Sequence, residues 1–283
     1  MVTVKKHRWL LLLLTVWGAT LLMASAAWAG VGVYPTFLFL NAPNRAVSLV
    51  VTNSSAVTSE IWIDFRYGYP VGDDSGNIYM RYADSSDIGE QSATGWIRAF
   101  PQRIVLESQE SQKIRLLVSP PSGLSSKEYW ARVIIHSKDR EDRVSSTVQG
   151  QTRSGMKLLT NVDVPFHYRS GLVSTGVILQ NLELETKSGV LNVKSELART
   201  GNAAYWGIYR LTLRDQLGKT ILLKEQNIVV YQNLKYTIPL DISKCSSGSY
   251  TLEVEISSQR RDIRREHQLI SDPVRRNVNV VIP

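Results

Sequence analysis

The sequence has almost no cysteine. Cys245 is the single one, so no internal disulfide can form. Stability must come from a hydrophobic core, and 43% hydrophobic residues make one feasible. Cys245 itself reads as a small buried hydrophobe. Histidine is nearly as scarce: His7, His136, His167 and His267 are far apart and show no metal-ligand spacing. There is no G-x-S-x-G, no P-loop and no C-x-x-C, so nothing selects an enzyme. Asp73-Asp74, with Asp84 and Asp87, lacks a full calcium-loop pattern and reads as turn residues. No metal and no cofactor is expected. Beyond residue 23 no apolar run approaches membrane-spanning length, and no segment carries a helical hydrophobic period. The formal charge is +8, but no long basic run with interleaved aromatics accompanies it. Nucleic acid is therefore not expected as a partner.

What is present begins with an export signal. Lys5, Lys6 and Arg8 precede the uncharged apolar stretch Trp9–Met23, and Ala27-Trp28-Ala29 forms an A-x-A site. Residues 1–29 are read as a cleaved signal peptide; the alternative is a retained anchor. Cleavage leaves 283 minus 29, or 254, residues and lowers the charge to about +5. The expected location is the periplasm, with no membrane insertion after cleavage. A chain of this length suits two domains of ordinary size.

Short alternating segments, rich in Val, Ile, Leu and aromatics and bounded by turn residues, then follow one another. In the first half they are Val31–Leu40, Val47–Thr52, Ile61–Tyr67, Arg103–Leu106, Gln112–Val118, Tyr129–His136 and Met156–Tyr168. Seven strands at this spacing predict an immunoglobulin-like β-sandwich. Residues 68–95 are polar and turn-forming, with Ile78–Met80 as a possible short edge strand, and 137–155 read as a mobile loop. The pattern restarts near Arg169-Ser170-Gly171. Strands are expected at Val177–Leu184, Val190–Glu196, Ala204–Arg214, Thr220–Val230, Leu234–Pro239, Tyr250–Ile256 and His267–Val281. The fold class is thus all-β, two immunoglobulin-like sandwiches spanning 30–169 and 170–283. The basic segment RRDIRREHQ at 260–268 reads as a charged, solvated strand edge, with an acidic partner as the functional alternative.

Four stretches, in order, resemble the PapD-like periplasmic chaperones of the chaperone–usher pilus pathway. They are VGVYPTFLFLNAPNRAVSLVVTNSS at 31–55, FPQRIVLESQESQKIRLLVSPPSGL at 100–124, EYWARVIIH at 128–136 and GNAAYWGIYRLTLRDQLGK at 201–219. In the second, Ser108-Gln109 stands where the family's turn has Pro-Gly. The resemblance implies a chaperone that lends a strand to an incomplete, secreted pilus or surface-fibre subunit and passes it to an outer-membrane usher. It further implies that residues 156–168 are the lent strand. By period 2, Met156, Leu158, Thr160, Val162, Val164, Phe166 and Tyr168 share one face. Of these, Met156, Leu158, Thr160, Val162 and Val164 are the expected client contacts; the plainer alternative is that this face is ordinary core. Backbone pairing would supply affinity and the alternate side chains selectivity.

The family also anchors the client's terminal carboxylate with an Arg in the first strand and a Lys late in the lent strand. Here Phe37 and Val164-Pro165-Phe166 occupy those places. Arg132, inside the apolar stretch YWARVII, is the candidate replacement, with Arg103 and Arg115 behind it. The alternative for Arg132 is a solvent-facing side chain whose stem covers an aromatic. A different class of protein, an exported adhesion module that is itself a structural subunit, is the second expectation.

Overall fold

The computed structural model describes residues 30–83, 89–140 and 159–282. The expected signal-peptide segment, the expected contact residues Met156 and Leu158, and most of the expected 137–155 loop lie outside them. Eighteen strands form among the described residues, and the only helical pieces are two three-residue 3-10 turns.

Strands β1 (Val31–Tyr34), β3 (Ala46–Asn53), β9 (Ser111–Val118) and β7 (Ile97–Phe100) make one sheet, in the order β1-β3-β9-β7. Facing it is a sheet of order β2-β11-β10-β4-β8, from β2 (Leu38–Asn41), β11 (Leu159–Ser170), β10 (Lys127–Asp139), β4 (Ser59–Arg66) and β8 (Arg103–Leu106). Their inner faces alternate into one core. Leu49, Val51, Ile114 and Leu116 come from one sheet, and Ile61, Ile63, Val133, Ile135, Val164 and Phe166 from the other. Buried Asn53 locks one end of this sandwich. Its Nδ2 donates to the carbonyls of Val57, Leu106 and Glu107 at 2.8–3.1 Å, tying the β3–β4 turn to the β8–β9 turn. In that second turn Gln109 has φ 63°, the left-handed conformation that the family's Gly would hold at lower steric cost.

The second sandwich packs β12 (Thr175–Lys187), β13 (Val190–Gly201) and β16 (Asn233–Asp241) against β15 (Thr220–Val230), β14 (Tyr205–Arg214), β17 (Gly248–Ser257) and β18 (Val274–Ile282). Leu191, Val193, Tyr209, Leu211, Val254 and Ile256 are among its core residues. No sheet mixes strands from before Ser170 with strands from after Thr175. Cys245 is half-buried at the margin of this core rather than fully enclosed.

Three expectations need correction. The single strand expected at Val31–Leu40 is two. β1 pairs antiparallel with β3, then the chain crosses to the other sheet, where β2 pairs parallel with β11. Pro35 lies at the crossing and has no N–H to continue a ladder. The polar region 68–95 holds the short strand expected at Ile78–Met80, as β6 (Ile78–Tyr82), but also an unexpected partner, β5 (Gly68–Gly72), with which it forms a hairpin turned at Asp73. Asp73 accepts from the backbone N–H groups of Ser75 and Asn77 at 2.8 Å, the side-chain bonding that makes Asp a turn residue. Finally, 260–268 is not a strand edge. β18 begins only at Val274, and the preceding loop folds over the sheet, with Arg260 buried and ion-paired to Asp262.

Candidate strand-lending edge and the junction beside it

β11 is an edge strand along half its length. On one side β10 pairs with it from Leu159 to Ser170; on the other, β2 pairs only with Phe166–Arg169. Among the described residues, the outer edge of 159–165 has no strand beside it. Pro165, without an N–H, stands where the covered stretch ends. Thr160 and Val162 are half-buried on the inward face, while Val164, Phe166 and Tyr168 are already buried in the first core. The expected contact face is therefore split. Thr160 and Val162 remain available at the open edge, and Val164 is committed to its own sandwich.

Arg132 is neither solvent-facing nor free. It is 7% exposed and crosses from β10 toward the second sandwich. Its Nε donates to the carbonyl of Gly68 at 3.1 Å, and its guanidinium lies 5.6 Å from the centre of the Tyr231 ring and 3.6 Å from Asp163. Tyr82, at the end of β6, donates to the other oxygen of Asp163 at 2.5 Å. Arg103 and Arg115 are exposed on separate sheets and do not join this cluster.

The group that sequence reasoning missed is Glu128, fully buried at the start of β10. Its Oε1 accepts from Trp130 Nε1 at 2.9 Å, His167 Nδ1 at 2.9 Å and the backbone N–H of Ala204 at 3.1 Å. Its Oε2 accepts from Arg169 Nε at 2.8 Å. Burial alone would raise this carboxyl, but the hydrogen bond from His167 and the charge and hydrogen bond of Arg169 hold it below its ordinary value. Burial pushes His167 the other way, below its ordinary value. A neutral ring fits its contacts: Nδ1–H donates to Glu128, and Nε2 accepts from the Tyr231 hydroxyl at 3.0 Å. Ala204 and Tyr231 belong to the second half of the chain, so one carboxylate ties the two sandwiches together. The sequence does hold a trace of this. Glu128 and Arg169 are cross-strand partners, each abutting an apolar run, but only the register reveals the pairing.

Phe37, where the resemblance implies a basic anchor, packs on Phe39 and on Trp206 of the second sandwich, with ring centres 5.9 and 5.6 Å apart. Aromatic packing fills a position where a cation is expected.

No family model and no curated protein matches the chain. Solved structures do. A Salmonella enterica SafA pilin in complex with the SafB chaperone aligns over 90% of this chain and 99% of that one, at 14% identity and TM-score 0.42. The class 5 fimbriae chaperone CfaA aligns over 90% and 100%, at 13% and 0.41. The CsuC–CsuE chaperone–tip subunit complex of Acinetobacter baumannii archaic chaperone-usher pili aligns over 74% and 91%, at 12% and 0.40.

Proposed function

We propose that this chain is a periplasmic chaperone that lends β11 to an incomplete immunoglobulin-like subunit of a pilus or surface fibre. It would then deliver that subunit to an outer-membrane usher. The observation that carries the reading is the uncovered edge of 159–165 beside a half-filled apolar face. A strand there displays free backbone N–H and C=O groups, which recruit another strand. Thr160 and Val162 would enter the client. The sequence resemblance supplies the client class. No ATP, metal or cofactor is needed, because the lent strand supplies the missing part of the client's core. We further propose that 30–169 and 170–283 are separate domains, with residues 1–29 removed on export. Arg132 can act as a carboxylate anchor only by giving up Asp163, so client binding there would be an exchange of one carboxylate for another.

The test is a periplasmic pull-down of the tagged chain beside a Thr160→Asp/Val162→Asp variant and an Ile178→Asp control on the second sandwich. A small secreted β-protein should be retained by the wild type and by the control. The edge variant should retain about tenfold less or lower still. Equal retention by a folded edge variant would reject strand lending and favour the adhesion-module reading.

A further inference from the structure

The basic loop 258–273, which the strand-lending reading leaves unused, is one wall of a groove on the second sandwich. The groove has a volume of about 1070 Å³, and its floor is the outer face of the β15-β14-β17-β18 sheet. Glu225, Arg210, Glu255 and Arg275 stand in register across the four strands. Arg210 lies 2.6 Å from Glu225 and 3.0 Å from Glu255, and Arg275 lies 2.8 Å from Glu255. On the wall, Arg260 pairs with Asp262. Every acidic side chain of the lining is thus engaged. Arg261 and Arg265 line the groove, are exposed and have no acidic partner among the described residues. The groove therefore carries two uncompensated cations.

We propose that this groove binds an acidic, extended polypeptide segment of a partner protein. The net charge calls for an anionic ligand. The floor then selects its class. It presents carboxylates as well as guanidiniums, so the ligand must offer both donors and acceptors. A peptide backbone with Asp or Glu side chains does so. A phosphate or a phospholipid headgroup is a poor match, because it offers mostly acceptors and would face Glu225 and Glu255. No aromatic side chain lines the groove, so a nucleic-acid strand would find no stacking platform. The exposed side chain of Ile270 at the rim gives a peptide one apolar contact. The surface is independent of β11, so a partner held here leaves the lending edge free.

The experiment uses the full chain on arrays of acidic, neutral and basic decapeptides, with dissociation constants from anisotropy for the best acidic sequences. Arg261→Glu/Arg265→Glu should weaken binding of acidic peptides about tenfold or more. A control pair on the first sandwich, Arg45→Glu/Arg98→Glu, should leave it unchanged, and 0.5 M salt should reduce it. Circular dichroism melts establish that each variant is folded. Four outcomes would overturn the proposal: no preference for acidic peptides, an equal loss in the control pair, full binding by the folded groove variant, or stronger capture by phosphatidylglycerol vesicles than by peptides. None depends on the Thr160→Asp/Val162→Asp result, so the two readings fail separately.

Discussion

A single carboxylate, Glu128, has four donors and no access to water. Replacing it with Gln keeps the volume but leaves the Arg169 guanidinium, 6% exposed, without its counter-charge. Such breakage of a buried pair costs about 3–5 kcal/mol, and urea denaturation at pH 7.5 should report it as a lowered midpoint. The same site predicts a pH dependence. Both Glu128 and His167 bind protons less readily folded than unfolded, so both contributions weaken as pH falls. His167 begins to cost stability below its unfolded value of 6.5, and Glu128 does so below 4.5. Midpoints at pH 7.5, 5.5 and 3.5 should decline in that order, and Glu128→Gln should flatten the decline below 4.5. Little of this was legible in the sequence. Glu128 meets Trp130 two residues away, but His167, Arg169 and Ala204 lie 39, 41 and 76 residues further along the chain, and a charge at the head of an apolar strand ordinarily points to solvent.

At the scale of elements, the β5–β6 hairpin leaves the first sandwich at Arg66 and rests its turn on β16 of the second. Lys235 lies 2.6 Å from Asp74, and the hydroxyl of Thr237 donates to the Ser75 carbonyl at 2.8 Å. The contact is close because glycines permit it. A Cβ at Gly72 would meet the Lys235 backbone, and one at Gly76, with φ +79°, would meet Thr237. Gly76→Val should therefore lift the hairpin from β16, and limited proteolysis should then cut within 68–82 faster than in the wild type. Lys235→Ala should change little, about 0–1 kcal/mol, because that ion pair is exposed. Period-2 alternation made most of the strands readable, β11 among them over its described residues, since Val164, Phe166 and Tyr168 do turn inward. One arm of the hairpin, β6, was anticipated at Ile78–Met80; β5 and the turn escaped because GYPVGDDSGN are residues of turns, and packing against β16 rather than propensity makes β5 a strand. β7, with only IRAF to show, was too short to be counted. The break at Pro35 hid inside a continuous apolar run.

For the whole molecule the two cores are joined by a third, smaller cluster of Tyr67, Trp130, Ala204 and Tyr231. Tyr231 is fully enclosed there, its ring centre 4.8 Å from that of Trp130 and 5.7 Å from that of Tyr69. Burial and the neighbouring carboxylates keep its hydroxyl protonated, so it serves as a fixed link between Arg132 and His167. Calorimetry of the wild type should show one cooperative transition. Tyr231→Ala removes about 3–5 kcal/mol of packing from the junction alone, and two separable transitions should replace the one.

Joined only by the chain at 171–174, the two sandwiches would have one pivot. The buried carboxylate supplies a second point of attachment, and the hairpin foot on β16 supplies a third that is off their line. Three such points brace a frame against rotation as well as separation. The open edge of β11 and the arginine groove therefore sit at a set distance and angle, and ligands held at the two would be presented to each other in a single orientation.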